Sequence, residues 1–207
     1  DFSLMKNFIV SSKIYEDKNG TIHTSYDVNI LEMLKKLDIS ITPINISNKI
    51  NKHLLKNVDG LFLMGVEKIN KNEKKKINKI RDEFEKKLFS YFIKQNKPII
   101  GICRGFQNIV SNYGIKLTLI KNHVRTNHLI KIINSRFIKY KNLTVNSYHN
   151  YAIKNLPKDF SLISKLEDNT IEIAEHKTKN VLCFMFHPER NMHSQKEIMQ
   201  VIKNFIK

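Results

Sequence analysis

The chain has 207 residues, of which 41% are hydrophobic and 27% are charged, and its formal net charge is +17. These proportions are those of a globular protein and argue against a disordered or membrane-spanning chain. The length suits a single catalytic domain over residues 1–207. Because the basic residues are mostly scattered lysines and no stretch alternates basic with aromatic residues, we expect no nucleic-acid partner. No apolar run approaches the ~20 residues that a membrane span needs, so we expect no membrane partner. A small anionic substrate agrees with the charge.

The two cysteines, Cys103 and Cys183, are far apart in the chain. This spacing does not suggest a disulfide framework, so we expect a reducing, cytoplasmic location. Charged residues interrupt each short apolar stretch near the N-terminus, so we expect no signal peptide. Met5 resembles a natural start, and residues 1–4 are expected to precede the natural chain.

The first half of the chain alternates predicted strands with predicted helices. The apolar run GLFLM at residues 60–64 is typical of a buried parallel strand. The spacing of Ile80, Phe84 and Leu88 predicts an amphipathic helix, and Asp27 is a suitable N-cap for an earlier helix. The predicted strands cover residues 7–11, 39–44, 60–64 and 99–102, and the predicted helices cover residues 27–37, 72–95 and 104–112.

The second half is richer in predicted strands and closes with an amphipathic helix. The strands cover residues 117–120, 129–133, 143–147, 161–164, 170–175 and 181–186, and the helix covers residues 194–206. Strand–helix alternation followed by a strand-rich half predicts an α/β fold. We expect a mostly parallel central sheet with flanking helices and antiparallel additions.

A G-x-C-x-G sequence at residues 101–105 joins a predicted buried strand to a predicted helix. This is the sequence form of a nucleophile elbow, with cysteine in place of serine. The N-terminus of the following helix favours a thiolate over a thiol. We therefore predict that Cys103 is a catalytic nucleophile, whereas Cys183, in the apolar run VLCFMF, is predicted to be a core residue.

The segment Phe186–Glu189 offers a general base at the end of another predicted strand. Residues two apart in an extended segment face the same way, so Glu189 can orient the ring of His187. We therefore predict a catalytic triad of Cys103, His187 and Glu189. For the oxyanion hole we predict the backbone N–H of Arg104 and the loop formed by Gly65 and Val66.

Four segments, taken together, resemble the class I glutamine amidotransferases over most of the chain, from Val58 to Glu189. They are residues 60–66, 101–107, 146–151 and 186–189, which match the family patterns GLxLxGG, GICxGxQ, NSxHHQ and FHPE. The resemblance implies hydrolysis of a γ-glutamyl amide through a glutamyl thioester, with release of glutamate. We expect no cofactor and no metal ion.

The sequence around Cys103 resembles the branch of this family that hydrolyses γ-glutamyl compounds. Shared features outside that segment are Arg81, Asp82, Glu85, His123 and His128. The resemblance implies that Gln107 and the backbone of Ser147 and Tyr148 hold the amino-acid head of the substrate. His149 is either a substrate contact or a structural hydrogen-bonding residue. The chain departs from the family pattern at Val66, Asn150 and Tyr151.

Two of the five arginines flank the predicted triad, Arg104 beside Cys103 and Arg190 beside Glu189. Arginine binds phosphate through a planar fork. We therefore predict an anionic leaving group, a nucleotide phosphoramidate, and the resemblance implies a place in capsule phosphoramidate biosynthesis. The alternative is that Arg104 belongs to the inherited architecture of the family and that Arg190 is a surface cation.

Other functions remain open. The chain could be a free-standing glutaminase that delivers ammonia to a synthetase partner, or a hydrolase of the γ-glutamyl-γ-aminobutyrate type. Retention of the predicted triad argues against a catalytically inactive binding module. A nucleic-acid binder is suggested by the net charge alone.

Overall fold

The computed structural model describes residues 5–44, 46, 50–65 and 74–207, and for residues 74–77 it describes the backbone alone. The helices are α1 (Val28–Lys36), α2 (Lys52–Lys56), α3 (Lys74–Lys94), α4 (Arg104–Ser111) and α5 (Gln195–Phe205). The strands are β1 (Lys6–Val10), β2 (Lys13–Glu16), β3 (Ile22–Ser25), β4 (Ile39–Ile41), β5 (Gly60–Leu63), β6 (Ile99–Ile102), β7 (Thr118–Leu119), β8 (Val124–Lys131), β9 (Asn142–Tyr148), β10 (Tyr151–Ala152), β11 (Phe160–Lys165), β12 (Ile171–His176) and β13 (Val181–Phe184).

A seven-stranded sheet in the order β11-β12-β13-β6-β5-β1-β4 forms the centre of the fold. Strands β13, β6, β5, β1 and β4 are mutually parallel, and β12 and β11 pair antiparallel at one edge. The pairs β2–β3, β8–β9 and β10–β7 form separate antiparallel additions. This architecture confirms the predicted fold class.

Helices cover both faces of the sheet because the buried strands carry apolar residues on alternate sides. Phe62 packs with the core that includes α1 and α5, whereas Leu61 packs with the core that includes α3 and α4. The parallel strands β1, β5, β6 and β13 all end at the same edge. The segments that follow β5, β6 and β13 carry the predicted site residues, so the fold brings those residues together.

Several elements differ from the prediction. The β2–β3 hairpin, α2 and β10 were not predicted, because they are short and largely exposed. Strand β4 ends at Ile41 rather than Ile44, and β8 begins at Val124 because it pairs with β9 over its whole length. The predicted N-cap is confirmed, since the side chain of Asp27 accepts a hydrogen bond from the N–H of Asn29. Residues 72 and 73 of the predicted long helix lie outside the described residues.

Within the described ranges, every helix is too short or too polar to cross a membrane.

Candidate active site

Cys103 occupies a sharp turn between β6 and α4. Its backbone has φ 49° and ψ −104°, in the left-handed region that non-glycine residues rarely adopt. The turn requires glycine at position 105, because a Cβ on Gly105 would stand 1.9 Å from the carbonyl oxygen of Leu63. The N–H of Cys103 donates to the carbonyl of Phe184 at 2.7 Å. The structure thus has the predicted elbow, with the thiol at the N-terminus of a helix.

His187 lies beside this turn, next to Glu189. Its Nδ1 is 2.6 Å from Oε1 of Glu189, and both side chains are buried. Burial lowers the pKa of the His187 imidazole. The negative charges of Cys103 and Glu189, with hydrogen bonds to both, outweigh burial and raise this pKa to about 10. The arrangement therefore favours the imidazolium form of His187.

The segment that carries His187 is clamped by Asn146, which sequence reasoning did not assign a role. The Asn146 side chain accepts from the N–H of His187 at 2.9 Å and donates to the His187 carbonyl, also at 2.9 Å. Asn146 is the first residue of the segment matched to NSxHHQ. Its place in that segment is a signal that could have identified it.

Gly65 completes the group around the thiol. A Cβ on Gly65 would stand 2.6 Å from Cε1 of His187 and 3.4 Å from Cβ of Cys103. The absence of a side chain therefore gives the backbone of Gly65 direct access to both residues. The N–H of Arg104 is in the first position of α4, where an amide has no partner within the helix. Val66, the other predicted donor, lies outside the described residues.

The residues predicted to hold the substrate head lie on two neighbouring segments. The half-buried amide of Gln107 donates to the carbonyl of Tyr151 at 3.1 Å. The hydroxyl of Ser147 is fully buried and donates to the carbonyl of His123 at 2.6 Å. The ring of Tyr148 packs edge-on against the ring of His187, with centroids 5.8 Å apart. The Ser147 hydroxyl is therefore engaged within the protein, and the substrate contact of its backbone stays a prediction.

His149 is buried, and its Nδ1 is 3.1 Å from the carbonyl oxygen of Tyr151. Its Nε2 faces Oε1 of Glu172 at 3.6 Å. Of the two roles left open by the sequence, this environment favours the structural one. A direct substrate contact by the ring would require it to leave the interior.

The side chain of Arg104 does not occupy the position expected of a phosphate ligand. Its guanidinium donates to Glu85 at 2.8 Å between Nη1 and Oε2, and it also pairs with Asp82. Both acceptors lie on α3. The arrangement therefore favours the alternative interpretation of Arg104 as part of the framework, while its backbone N–H stays a predicted oxyanion donor.

Arg190 lies over the ring of Tyr148, with 4.5 Å from Cζ to the ring centroid. It lines a cavity of about 150 Å³ that also reaches Gly65, His187 and Glu189. The lining of this cavity also includes Lys13, at the start of the unpredicted β2–β3 hairpin. Two cationic side chains thus line a cavity that opens beside the predicted triad.

Comparison with known sequences identifies the family of this chain. Residues 6–189 match the peptidase C26 family. The chain is 32% identical to the γ-glutamyl-CDP-amidate hydrolase of Campylobacter jejuni over 82% of this chain and 84% of that protein. It is 30% identical to a glutamine-hydrolysing GMP synthase component of Thermoplasma volcanium over 94% and 90% of the two chains.

Solved structures give the same result. A structure described as a GMP synthase component from Thermoplasma acidophilum has a TM-score of 0.69 and 25% identity, and the match covers 98% of this chain and 92% of that one. A glutamine amidotransferase from Thermotoga maritima, 12% identical, shares the fold with a TM-score of 0.70 over 98% and 96% of the two chains. The chain belongs to the peptidase C26 family and is an enzyme that hydrolyses amide bonds.

Proposed function

We propose that the chain hydrolyses a γ-glutamyl amide bond with Cys103 as nucleophile. The observation that carries this proposal is that Cys103, His187 and Gly65 lie together at one edge of the sheet. Glu189 is hydrogen bonded to His187. In the first step, Sγ of Cys103 attacks the γ-carbonyl carbon, and the backbone N–H of Arg104 and the Gly65 loop stabilise the oxyanion. His187 then donates its proton to the leaving nitrogen, and the carbon–nitrogen bond breaks.

The second step regenerates the enzyme. The product of the first step is a γ-glutamyl thioester on Cys103 and a released amine or phosphoramidate. His187, now neutral, accepts a proton from water, and the resulting hydroxide attacks the thioester carbonyl. Glutamate leaves, and the thiolate and the imidazolium are restored. Glu189 holds the ring of His187 in both steps through the bond at Nδ1.

For the substrate we propose γ-glutamyl-CDP-amidate, which would yield glutamate and cytidine diphosphoramidate. Support comes from the name of the relative from Campylobacter jejuni and from the cavity lined by Lys13 and Arg190. The cavity of about 150 Å³ is smaller than the roughly 300–1,000 Å³ pockets that enclose whole drug-sized ligands. It suits a phosphate-sized group beside the scissile bond, with the nucleoside extending outward.

The test compares kcat/KM for γ-glutamyl-CDP-amidate, glutamine and γ-glutamyl-γ-aminobutyrate. We expect the nucleotide substrate to be preferred, and its KM to rise with ionic strength because the recognised group is charged. Lys13→Ala should raise the KM for the nucleotide substrate and leave that for glutamine unchanged. The matched control is Lys18→Ala, an exposed lysine in the turn of the same hairpin. Preference for a neutral or simple carboxylate leaving group would refute the substrate assignment.

A second candidate function is that of a glutaminase delivering ammonia to a synthetase partner. The similarity to the two GMP synthase components from Thermoplasma species favours it. This candidate uses the same nucleophile and the same oxyanion hole, so only the leaving group and the partner differ. It predicts that the isolated chain releases ammonia from glutamine at least as fast as it releases glutamate from γ-glutamyl-CDP-amidate. A glutaminase rate far below the rate with the nucleotide substrate would exclude it.

A further inference from the structure

A buried group of three potential ligands lies apart from the predicted triad. It consists of His123, just before β8, His149, just after β9, and Glu172, on β12. All three are buried, with 8%, 3% and 0% of their surface exposed. One ligand atom from each residue lies within 4.8 Å of the other two. We call this group the His–His–Glu cluster.

Hydrogen bonding fixes which nitrogen of His149 carries a proton. Its Nδ1 is 3.1 Å from the carbonyl oxygen of Tyr151. A carbonyl can only accept, so this nitrogen must donate. The other nitrogen, Nε2, has no hydrogen-bond partner within the part of the chain that the structure describes. In the neutral ring, Nε2 therefore presents a lone pair towards Glu172.

Hydrogen bonding also fixes the protonated nitrogen of His123. Its Nε2 is 3.2 Å from Oδ2 of Asp168. That carboxylate also accepts from the N–H and hydroxyl of Thr170 and from the amine of Lys154, which is the pattern of an ionised acceptor. Nε2 of His123 must therefore donate. Its Nδ1 carries the lone pair and is likewise without a hydrogen-bond partner among the described residues.

The cluster therefore holds only acceptors. Neither oxygen of the Glu172 carboxylate is hydrogen bonded within the described chain, and they meet two imidazole lone pairs. A buried acceptor without a partner destabilises the fold, and an isolated buried charge destabilises it more. One proton shared between Glu172 and His149 would still leave Nδ1 of His123 and one carboxylate oxygen unsatisfied. A single cation would satisfy all three residues.

We propose that His123, His149 and Glu172 ligate a divalent transition-metal ion, with Zn²⁺ the best match. Two imidazoles and one carboxylate form a known ligand set for Zn²⁺, at distances of roughly 2.0–2.2 Å. Small side-chain rotations would bring the ligand atoms to those distances. The outer partners also fit, because metal-bound histidines usually donate their other N–H to a carboxylate or a backbone carbonyl. Here those acceptors are Asp168 and Tyr151.

The position of the cluster gives the ion a role in holding the site. The Tyr151 carbonyl that accepts from His149 also accepts from Gln107 at 3.1 Å. The carbonyl of His123 accepts from Ser147 at 2.6 Å. Gln107 and Ser147 are the residues predicted to hold the substrate head. An ion at the cluster would therefore fix the two segments that carry them, as a positioning element without contact with the scissile bond.

The test uses the Cys103→Ser variant of the full chain, so that the thiolate beside His187 cannot capture the probe. After treatment with a chelator, Zn²⁺ binding is measured by titration calorimetry and by the melting temperature. We expect a single equivalent of Zn²⁺ per chain and a rise in melting temperature that the chelator reverses. Co²⁺ should give d–d absorption bands of nitrogen and oxygen ligation without a thiolate charge-transfer band.

Ligand variants assign the binding to the cluster. In the Cys103→Ser background, Glu172→Gln should weaken Zn²⁺ binding by at least the roughly 10–100-fold that loss of a ligand's hydrogen-bond partner costs. His149→Gln offers a second variant should the first fail to fold. His53→Gln, at an exposed histidine on α2, is the matched control and should bind as before. The proposal is overturned if the Cys103→Ser chain binds no Zn²⁺. It is also overturned if the folded cluster variants bind Zn²⁺ as tightly as their parent.

Discussion

The guanidinium of Arg104 donates to the buried carboxylate of Glu85, with 2.8 Å between Nη1 and Oε2. Glu85 also accepts from Arg81 at 2.7 Å and from Asn108 at 2.6 Å. Arg81 in turn donates to the carbonyl of Met64 at 3.0 Å, immediately before Gly65. One carboxylate on α3 therefore holds both the first turn of α4 and the strand end that leads into the Gly65 loop.

This relationship predicts a large effect of Glu85→Gln on stability. The substitution leaves the guanidinium of Arg81, a residue with only 2% of its surface exposed, without its buried counter-charge. We expect the free energy of unfolding to fall by about 3–5 kcal/mol, measured by urea denaturation. Glu83→Gln, at an exposed position on the same helix, is the control and should change it little. Equal effects of the two substitutions would contradict the assignment.

The same carboxylate predicts how stability depends on pH. Burial raises the pKa of Glu85, but the charges of Arg81 and Arg104 and the hydrogen bonds from Asn108 and Arg81 lower it to about 2. A depressed pKa stabilises the fold above the unfolded value of 4.5, and this contribution is lost as pH falls towards 2. Melting temperature should therefore drop over this range. In Glu85→Gln the drop should be shallower, and an unchanged slope would count against this role.

Mass spectrometry of the acid-quenched protein tests the prediction that Cys103 is the nucleophile. We expect wild-type protein quenched in acid during turnover to carry a γ-glutamyl adduct on Cys103, and Cys103→Ala to be inactive. Cys183 is the natural control, because it is fully buried and burial raises the pKa of its thiol. Cys183→Ala should retain activity. An adduct on Cys183, or full activity of Cys103→Ala, would falsify the mechanism.

The pH profile tests His187. Because its pKa is raised to about 10, the imidazolium that protonates the leaving nitrogen persists through neutral pH and is lost as pH rises through that value. We expect kcat/KM to fall on this alkaline limb, and His187→Ala to lower turnover by ~10² or more. Glu189→Gln should act more mildly and move the limb to lower pH, because one of the charges that raise the pKa is removed. An unchanged limb would exclude Glu189 from this role.

Gly65 offers a test of geometry at the thiol. In Gly65→Ala the new Cβ would stand 2.6 Å from Cε1 of His187, so the ring must move. A displacement of about 1 Å can cost ~10² in rate, and we expect a fall of that order in kcat/KM. Gly114→Ala is the control, since its φ of 82° makes alanine strained but no atom lies within 4 Å of the added Cβ. It should lower the melting temperature and preserve activity; equal losses of activity would show that the position of Gly65 beside the ring is unimportant.

The sequence predicted the parts of the site that depend on local pattern. The elbow at Cys103 and the pair His187 and Glu189 follow strands that run parallel, so their shared edge could be inferred from the chain alone. The contacts of the Arg104 side chain could not be inferred from the chain alone, because its partners lie 19 and 22 residues away on α3. The same holds for Asn146, whose contact with His187 spans 41 residues.

Two further features escaped prediction for a similar reason. The β2–β3 hairpin is short and mostly exposed, so its strands show no clear alternation of apolar and polar residues. Its first residue, Lys13, nevertheless lines the cavity beside His187. The three members of the His–His–Glu cluster come from segments that only strand pairing brings together. No short spacing in the chain marks them as a group.

The backbone conformation at Cys103 places the thiol for catalysis but lowers the stability of the fold. A φ of 49° at a non-glycine residue costs roughly 1–3 kcal/mol. Cys103→Gly should therefore melt at a higher temperature than Cys103→Ala, although glycine buries less and loses more chain entropy. If the alanine variant melts higher, the turn is not strained. A gene copy released from selection for hydrolysis would therefore gain stability by replacing this cysteine with glycine.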